Sequence, residues 1–160
     1  MAIKVGDKLP QATFMTMGKD GPEPVTTSDV FGGKRVALFA VPGAFTPTCS
    51  AKHLPGFKDN VDAFKAKGVD AIACTSVNDV FVMGAWGKDQ GVSDEMQMLA
   101  DGNGDFAKDI GLELDATGFG MGARSQRYAM VVNDGVVESL HVEDGGEFKV
   151  SSAEYLLDHI

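Results

Sequence analysis

The stretch Val41-Pro-Gly-Ala-Phe-Thr-Pro-Thr-Cys-Ser50 sets one of the chain's two cysteines directly after a cluster of turn-forming residues. Proline favours the first position of a helix, where its missing N–H is not needed. With Thr46 as N-cap, Pro47, Thr48 and Cys49 become the first three helical residues. A thiol in the first turn faces the positive end of the helix dipole and unpaired backbone N–H groups, a setting that favours thiolate and hence nucleophilic or redox chemistry. The competing reading is a small buried hydrophobe. A thiol is already a few per cent ionised at neutral pH, so full ionisation gains at most roughly 30-fold, or about 2 kcal/mol. A reactive site must therefore also stabilise charge building on a leaving group. The candidates are the Thr46 hydroxyl, the N–H groups of the first turn, and a guanidinium. There are three arginines: Arg35, placed before a strand and expected in solvent, and Arg124 and Arg127, just ahead of another. Either of the latter two could reach a pocket at the strand ends or lie on the surface.

These groups need a scaffold. Arg35 to Val41 is an apolar run closed by Pro42-Gly43, as expected of a strand buried on both faces, and Val69 to Val77 is a second. Between them Phe57, Val61 and Phe64 recur at helical spacing up to Gly68. Strand, helix and buried strand make a parallel crossover. Pro55 is expected to kink or interrupt that helix. Asn78 is a candidate cap for a further helix carrying Val82, Ala85 and Trp86, and Met98–Ala100 a short strand. Tyr128–Val132 and Val136–Leu140 flank Asn-Asp-Gly, a hairpin signal, and Ser151-Ser-Ala-Glu154 has capping-box spacing for a last helix. The expectation is an α/β chain: a single domain over residues 1–160, with an N-terminal extension and a central mixed β-sheet flanked by helices on both faces. Among small folds the thioredoxin-like architecture is closest.

Composition narrows the partners. A net charge of −9, with 14 Lys and Arg scattered along the chain, argues against nucleic acid and anionic membranes. The longest apolar run, Val36 to Phe45, is broken by Pro42-Gly43 and is too short to span a bilayer, and the first residues lack the apolar core of a signal peptide. Cytoplasmic localisation is the expectation. Two cysteines do not make a disulfide framework in a chain of 160 residues.

Pro42-Gly-Ala-Phe-Thr46-Pro-Thr-Cys49 resembles the peroxiredoxin pattern P-x-x-x-T-x-x-C. Its continuation through His53-Leu-Pro-Gly-Phe57, with Cys74-Thr-Ser-Val-Asn-Asp79, Trp86-Gly, Leu99-Ala-Asp101 and Arg124-Ser-Gln-Arg-Tyr, is similar to the plant type II and mammalian atypical (type V) subfamily. The resemblance implies a thiol-dependent peroxidase acting on hydrogen peroxide and alkyl hydroperoxides. Cys49 would be the attacking thiolate that becomes a sulfenic acid. Thr46 would contact thiolate and peroxide, Arg124 would stabilise the thiolate and hold the peroxide oxygens, and Pro42 would shield the sulfur from bulk water. No metal or cofactor is needed. Cys74 is either an inert buried thiol or, as in some plant members, a resolving cysteine. The C-terminal resolving cysteine of the mammalian members has no counterpart, so glutathione with glutaredoxin, or thioredoxin, is the expected reductant.

His53 lies four residues beyond Cys49 on the same helix face, as a partner near the thiol or a packed side chain; His141 and His159 do not join it in a ligand pattern. Asp101-Gly-Asn-Gly-Asp105 fails as a calcium loop, with Phe106 at the sixth position, where the turn needs glycine, and Leu112 at the twelfth, where a glutamate ligand belongs, and is expected to be a turn before a helix. Gly118-Phe-Gly-Met-Gly122 is expected to be a loop delivering Arg124, and Phe119 with Phe45 an apolar pocket wall. A homodimer beside the active site is a family expectation. A second functional reading is a peroxide sensor that relays oxidation from Cys49 to a protein partner. A thiol–disulfide oxidoreductase would need a C-x-x-C pair, and position 46 holds Thr.

Overall fold

The computed structural model describes residues 2–92 and 94–160. The segment expected as an extension is built into the sheet. β1 (Thr13–Gly18) and β2 (Gly21–Thr26) form an antiparallel hairpin whose turn uses Gly21 at φ 119°. Thr26 and Asp29 then cap each other to start α1 (Thr27–Phe31), a reciprocal pair at capping-box spacing.

Apolar side chains on both faces of β3 (Arg35–Ala40) and β4 (Ala71–Ser76) put these strands in the centre, paired in parallel. Their crossover holds a wide turn at Cys49–His53, then α2 (Leu54–Asp59) and α3 (Val61–Ala66). α4 (Val80–Asp89) leads to β5 (Met96–Ala100), also parallel to β4. The helix cap is Asp79, whose carboxylate accepts from the Val82 N–H, rather than Asn78. After β5 comes α5 (Asp105–Asp109), held by the Asp101 carboxylate through the Phe106 and Ala107 N–H groups. A small antiparallel pair follows, β6 (Glu113–Asp115) with β7 (Ala123–Ser125). β8 (Tyr128–Asn133) and β9 (Val136–Val142) form the expected hairpin, with Asp134 and Gly135 at positive φ, and α6 (Ala153–Asp158) closes the chain. α6 starts one residue later than the capping-box spacing placed it. Ser152 caps it, because the Ser151 hydroxyl is bonded to Glu143 instead.

The main sheet runs β2-β1-β5-β4-β3-β8-β9, parallel in the middle and antiparallel at both sides. Strand alternation divides the core in two. One face gathers Ala37, Phe39, Cys74, Ala129 and Val131 under Phe57, Phe64, Trp86 and Leu156 of α2, α3, α4 and α6. The other gathers Val36, Leu38, Ala40, Tyr128 and Met130 against Phe31 and Phe106 of α1 and α5. Helices therefore cover both faces of a mixed sheet. On the first face Phe57 stacks on Phe39 at 4.2 Å and on Phe64 at 5.4 Å, fixing the helical crossover that carries Cys49 above the ends of β3 and β8.

Candidate active site

The loop from Pro42 to Thr46 is folded back by short local bonds. The Thr46 hydroxyl donates to the Gly43 carbonyl at 2.7 Å, and the Ala44 N–H donates to Asn78 Oδ1 at 3.0 Å. Asn78 Oδ1 also accepts from the Ser76 hydroxyl, so the end of β4 anchors this loop. Gly43 is closely approached: a Cβ there would lie 3.1 Å from the Thr46 methyl and 3.2 Å from Met121 Cε, so a side chain would need both neighbours to give by a few tenths of an ångström. Phe45 sits between the two anchors at φ 63°, a backbone region unfavourable for a non-glycine residue. The Ser50 N–H then donates to the Thr46 carbonyl, so the helical path starts at Pro47 and Cys49 lies in its first turn, as the spacing predicts.

The interruption expected at Pro55 takes the form of the wide turn. The Leu54 N–H donates to the Cys49 carbonyl five residues back, one residue more than in an α-helix, immediately ahead of the proline. Within this turn the side chains of Cys49 and His53 both point inward and are fully buried. Trp86, also fully buried, donates its indole N–H to Ser50 Oγ at 2.9 Å and ties α4 to the turn.

The guanidinium at the thiol belongs to Arg127, and this corrects the assignment of Arg124. Arg127 Nη2 donates to Cys49 Sγ at 3.0 Å, while Nη1 bonds His53 Nδ1 at 2.9 Å. Arg124 donates Nε to the Met121 carbonyl and Nη1 to the Val77 carbonyl, so it braces the loops behind Gly43. The reason is strand parity. Arg127 shares its side of the strand with Ala129 and Val131, which face the core beneath α2, whereas Tyr128 faces the other core. Tyr128 to Val131 are buried on both faces, so the residue types alone do not tell which face meets the thiol. Arg35, expected in solvent, pairs with Glu138 at 3.0 Å and with the Lys67 carbonyl at 2.6 Å.

His53 is a partner near the thiol rather than merely a packed ring. Its Nε2 lies 2.8 Å from the Ser151 carbonyl. Arginine can only donate and a carbonyl can only accept, so Nδ1 is the acceptor and the proton sits on Nε2. Burial, seconded by the Arg127 charge, pushes its pKa down to about 3 against the Ser151 bond. The ring is therefore neutral at physiological pH, an orienting acceptor and not an acid–base group. Phe148 completes this wall, 5.0 Å from the His53 ring and 5.8 Å from the Arg127 guanidinium.

Cys74 is fully buried in β4 opposite Phe39, on the same face as Cys49. Burial first, then the neighbouring Cys49, push its thiol up, while Arg127 offsets part of this. It is held as a thiol. The two cysteines are not joined. Phe45 and Phe119 turn to solvent, 52% and 86% exposed, so within one chain they enclose no pocket. Gly118-Phe-Gly belongs to the short β6–β7 connection, Pro42 is half-buried two residues beyond the end of β3, and no group of three or more metal-ligating side chains occurs among the described residues.

A thiol and a bound guanidinium at a helix start could serve several redox reactions. The comparisons with known proteins decide among them. The Redoxin family model matches residues 4–157. Peroxiredoxin-2E, chloroplastic, of Arabidopsis thaliana is 51% identical over 98% of this chain and 68% of the relative, and Peroxiredoxin-2B of the same plant is 47% identical over 97% and 96%. The chain belongs to the peroxiredoxin family. A solved structure of reduced Prx3 from Vibrio vulnificus, described as a complex with H2O2, superposes with a TM-score of 0.93 at 53% identity over 98% of both chains. The type II/V-like subfamily fits, and the thioredoxin-like fold is that of the peroxiredoxin structures. Thiol-dependent peroxidase activity, with a peroxide substrate and a thiol reductant, follows from membership. In this peroxiredoxin Arg127 is bonded to the sulfur and His53 to Arg127, while the Thr46 hydroxyl is bonded to the Gly43 carbonyl and not to the thiol.

Proposed function

We propose that the protein reduces hydrogen peroxide and alkyl hydroperoxides by direct attack of the Cys49 thiolate. The observation that carries this reading is the Arg127 Nη2 donor 3.0 Å from Cys49 Sγ. Sulfur attacks the terminal oxygen of ROOH. The S–O bond forms, the O–O bond breaks, and the electron pair leaves on RO⁻, which takes a proton to give ROH. Cys49 becomes a sulfenic acid. The guanidinium first stabilises the thiolate and then meets the negative charge that spreads over the peroxide oxygens. The Thr46 hydroxyl has committed its proton to Gly43, so its oxygen is oriented to accept from the peroxide O–H. Arg124 supports the loop without touching the sulfur.

Recycling by an external thiol, glutathione with glutaredoxin or thioredoxin, completes the cycle. One thiol condenses with the sulfenic acid, releasing water and forming a disulfide; a second restores Cys49. What favours this over an internal disulfide is the placement of Cys74: its strand is paired on both sides, and its side chain is fully buried. The reading includes a homodimer, supported by the exposed apolar side chains of Phe45 in the site loop and Phe119 in the β6–β7 connection, and a reducing, cytoplasmic setting, consistent with two unbridged thiols.

The test is mass spectrometry after one equivalent of peroxide, on wild type and Cys74→Ser. Sulfenic acid at Cys49, converted to a glutathione adduct in both proteins, is expected. A Cys49–Cys74 disulfide in the wild type would overturn the external-thiol cycle, and peroxide turnover by Cys49→Ser would overturn the site.

A further inference from the structure

We infer that Glu143 is a positioning residue for the reactive thiol: a single carboxylate oxygen fastens the 144–151 loop behind Arg127 and thereby sets the guanidinium that holds Cys49. Oε2 of Glu143 accepts four hydrogen bonds, from the N–H groups of Lys149 (2.9 Å), Val150 (2.8 Å) and Ser151 (2.7 Å) and from the Ser151 hydroxyl (2.6 Å). A run of successive N–H groups around one oxygen is an anion nest, and here the anion is supplied by the chain itself. Burial alone would raise this carboxyl, but the Ser151 hydroxyl and the three N–H groups hold it below its ordinary range.

The carboxylate belongs to a closed circuit. The Glu143 N–H donates to the Arg127 carbonyl at 2.9 Å, extending the β8–β9 ladder by one bond. Its side chain holds Ser151, the Ser151 carbonyl takes the Nε2 proton of His53, and His53 Nδ1 takes Arg127 Nη1. The other arm of the same guanidinium is on Cys49. The loop also carries Phe148 against both His53 and Arg127. Arg127 is thus fixed at its backbone and, through two intermediates, at its side chain by one residue. Nothing in this circuit needs Glu143 to touch peroxide.

The inference rests on Cys49 being the attacking thiol, so its test avoids peroxide. Glu143→Ala and Glu143→Gln are compared with wild type by the pH profile of iodoacetamide alkylation, read as modification of the Cys49 peptide by mass spectrometry, alongside thermal unfolding. In Glu143→Ala the alkylation profile moves to higher pH and the rate at neutral pH falls about tenfold, the scale expected when a supporting group lets a reactive pair drift. Glu143→Gln keeps an acceptor oxygen of the same shape and lies between. A lower melting temperature with an alkylation profile superimposable on wild type overturns the inference, because a merely structural staple would give that result. If Glu143→Ala fails to fold, the profile of Glu143→Gln decides alone: displaced supports positioning, unmoved refutes it. A failure of the peroxidase reading would show instead as peroxide turnover by Cys49→Ser, leaving the alkylation comparison intact.

Discussion

Replacing Arg127 by alanine separates two guanidinium groups that lie three residues apart in sequence. The substitution removes the Nη2 bond to Cys49 Sγ and the Nη1 bond to His53 Nδ1 together. A hydrogen bond to a charged partner contributes about 1.5–3 kcal/mol, and the thiolate and the developing oxyanion both draw on this one donor. At 1.36 kcal/mol per tenfold, the second-order rate with hydrogen peroxide is expected to fall by a factor of about 10 to 150. Lysine at this position restores the charge but not the fork, and regains part of the loss. Arg124→Ala frees two loop carbonyls but no atom at the sulfur, and is expected to cost less than about tenfold. The assay is single-turnover stopped flow without reductant, following Trp86, whose indole is bonded to Ser50 beside the thiol. Arg127→Ala also leaves a buried His53 nitrogen without its donor, so rates are compared well below each variant's melting temperature. A near-wild-type rate in Arg127→Ala with a collapsed rate in Arg124→Ala would refute the assignment.

Other outcomes follow from the same geometry. His53 has a folded pKa near 3 against an unfolded value near 6.5, so the unfolded chain binds the extra proton between them. Its stabilising contribution is complete above about pH 6.5 and is lost as pH falls toward 3, and melting temperatures measured across that range should fall more steeply for wild type than for His53→Gln; parallel curves would contradict it. Asn78→Ala removes the acceptor for the Ala44 N–H and the Ser76 hydroxyl, so peroxide reactivity should drop about tenfold while β-sheet circular dichroism is retained. An unchanged rate would mean the loop holds itself. Cys74→Ser should retain wild-type peroxide reactivity but lose about 1–3 kcal/mol in denaturant unfolding, because a hydroxyl replaces a thiol in a fully buried apolar site. Full stability would show that the site is wetter than its burial implies.

Helix-start chemistry and strand composition are local, and they were legible in the sequence. Proline at 47, cysteine at 49, two doubly buried strands joined by a periodic segment, and the Asn-Asp-Gly turn each carry their own physical signal. β1 and β2 carry little signal in the sequence because their alternation is weak, with Pro22 and Pro24 in the second strand, half of whose residues are exposed and none buried. The α6 cap lies one residue beyond the position its spacing suggests because a distant carboxylate takes the Ser151 hydroxyl.

By itself, then, the sequence determined that a reactive thiol stands at a helix start on an α/β scaffold, since that depends on residues within a few positions of one another. Only the tertiary structure decided which guanidinium serves it. Arg124 and Arg127 are chemically equal, and the choice lies in the register of β8 on β3 and in the alternation that turns Arg127 toward the core beneath α2. The same holds for Asn78, Ser151 and Glu143. Each acts on Cys49 or its loop across tens of residues of chain, through hydrogen bonds that exist only once the strands are paired.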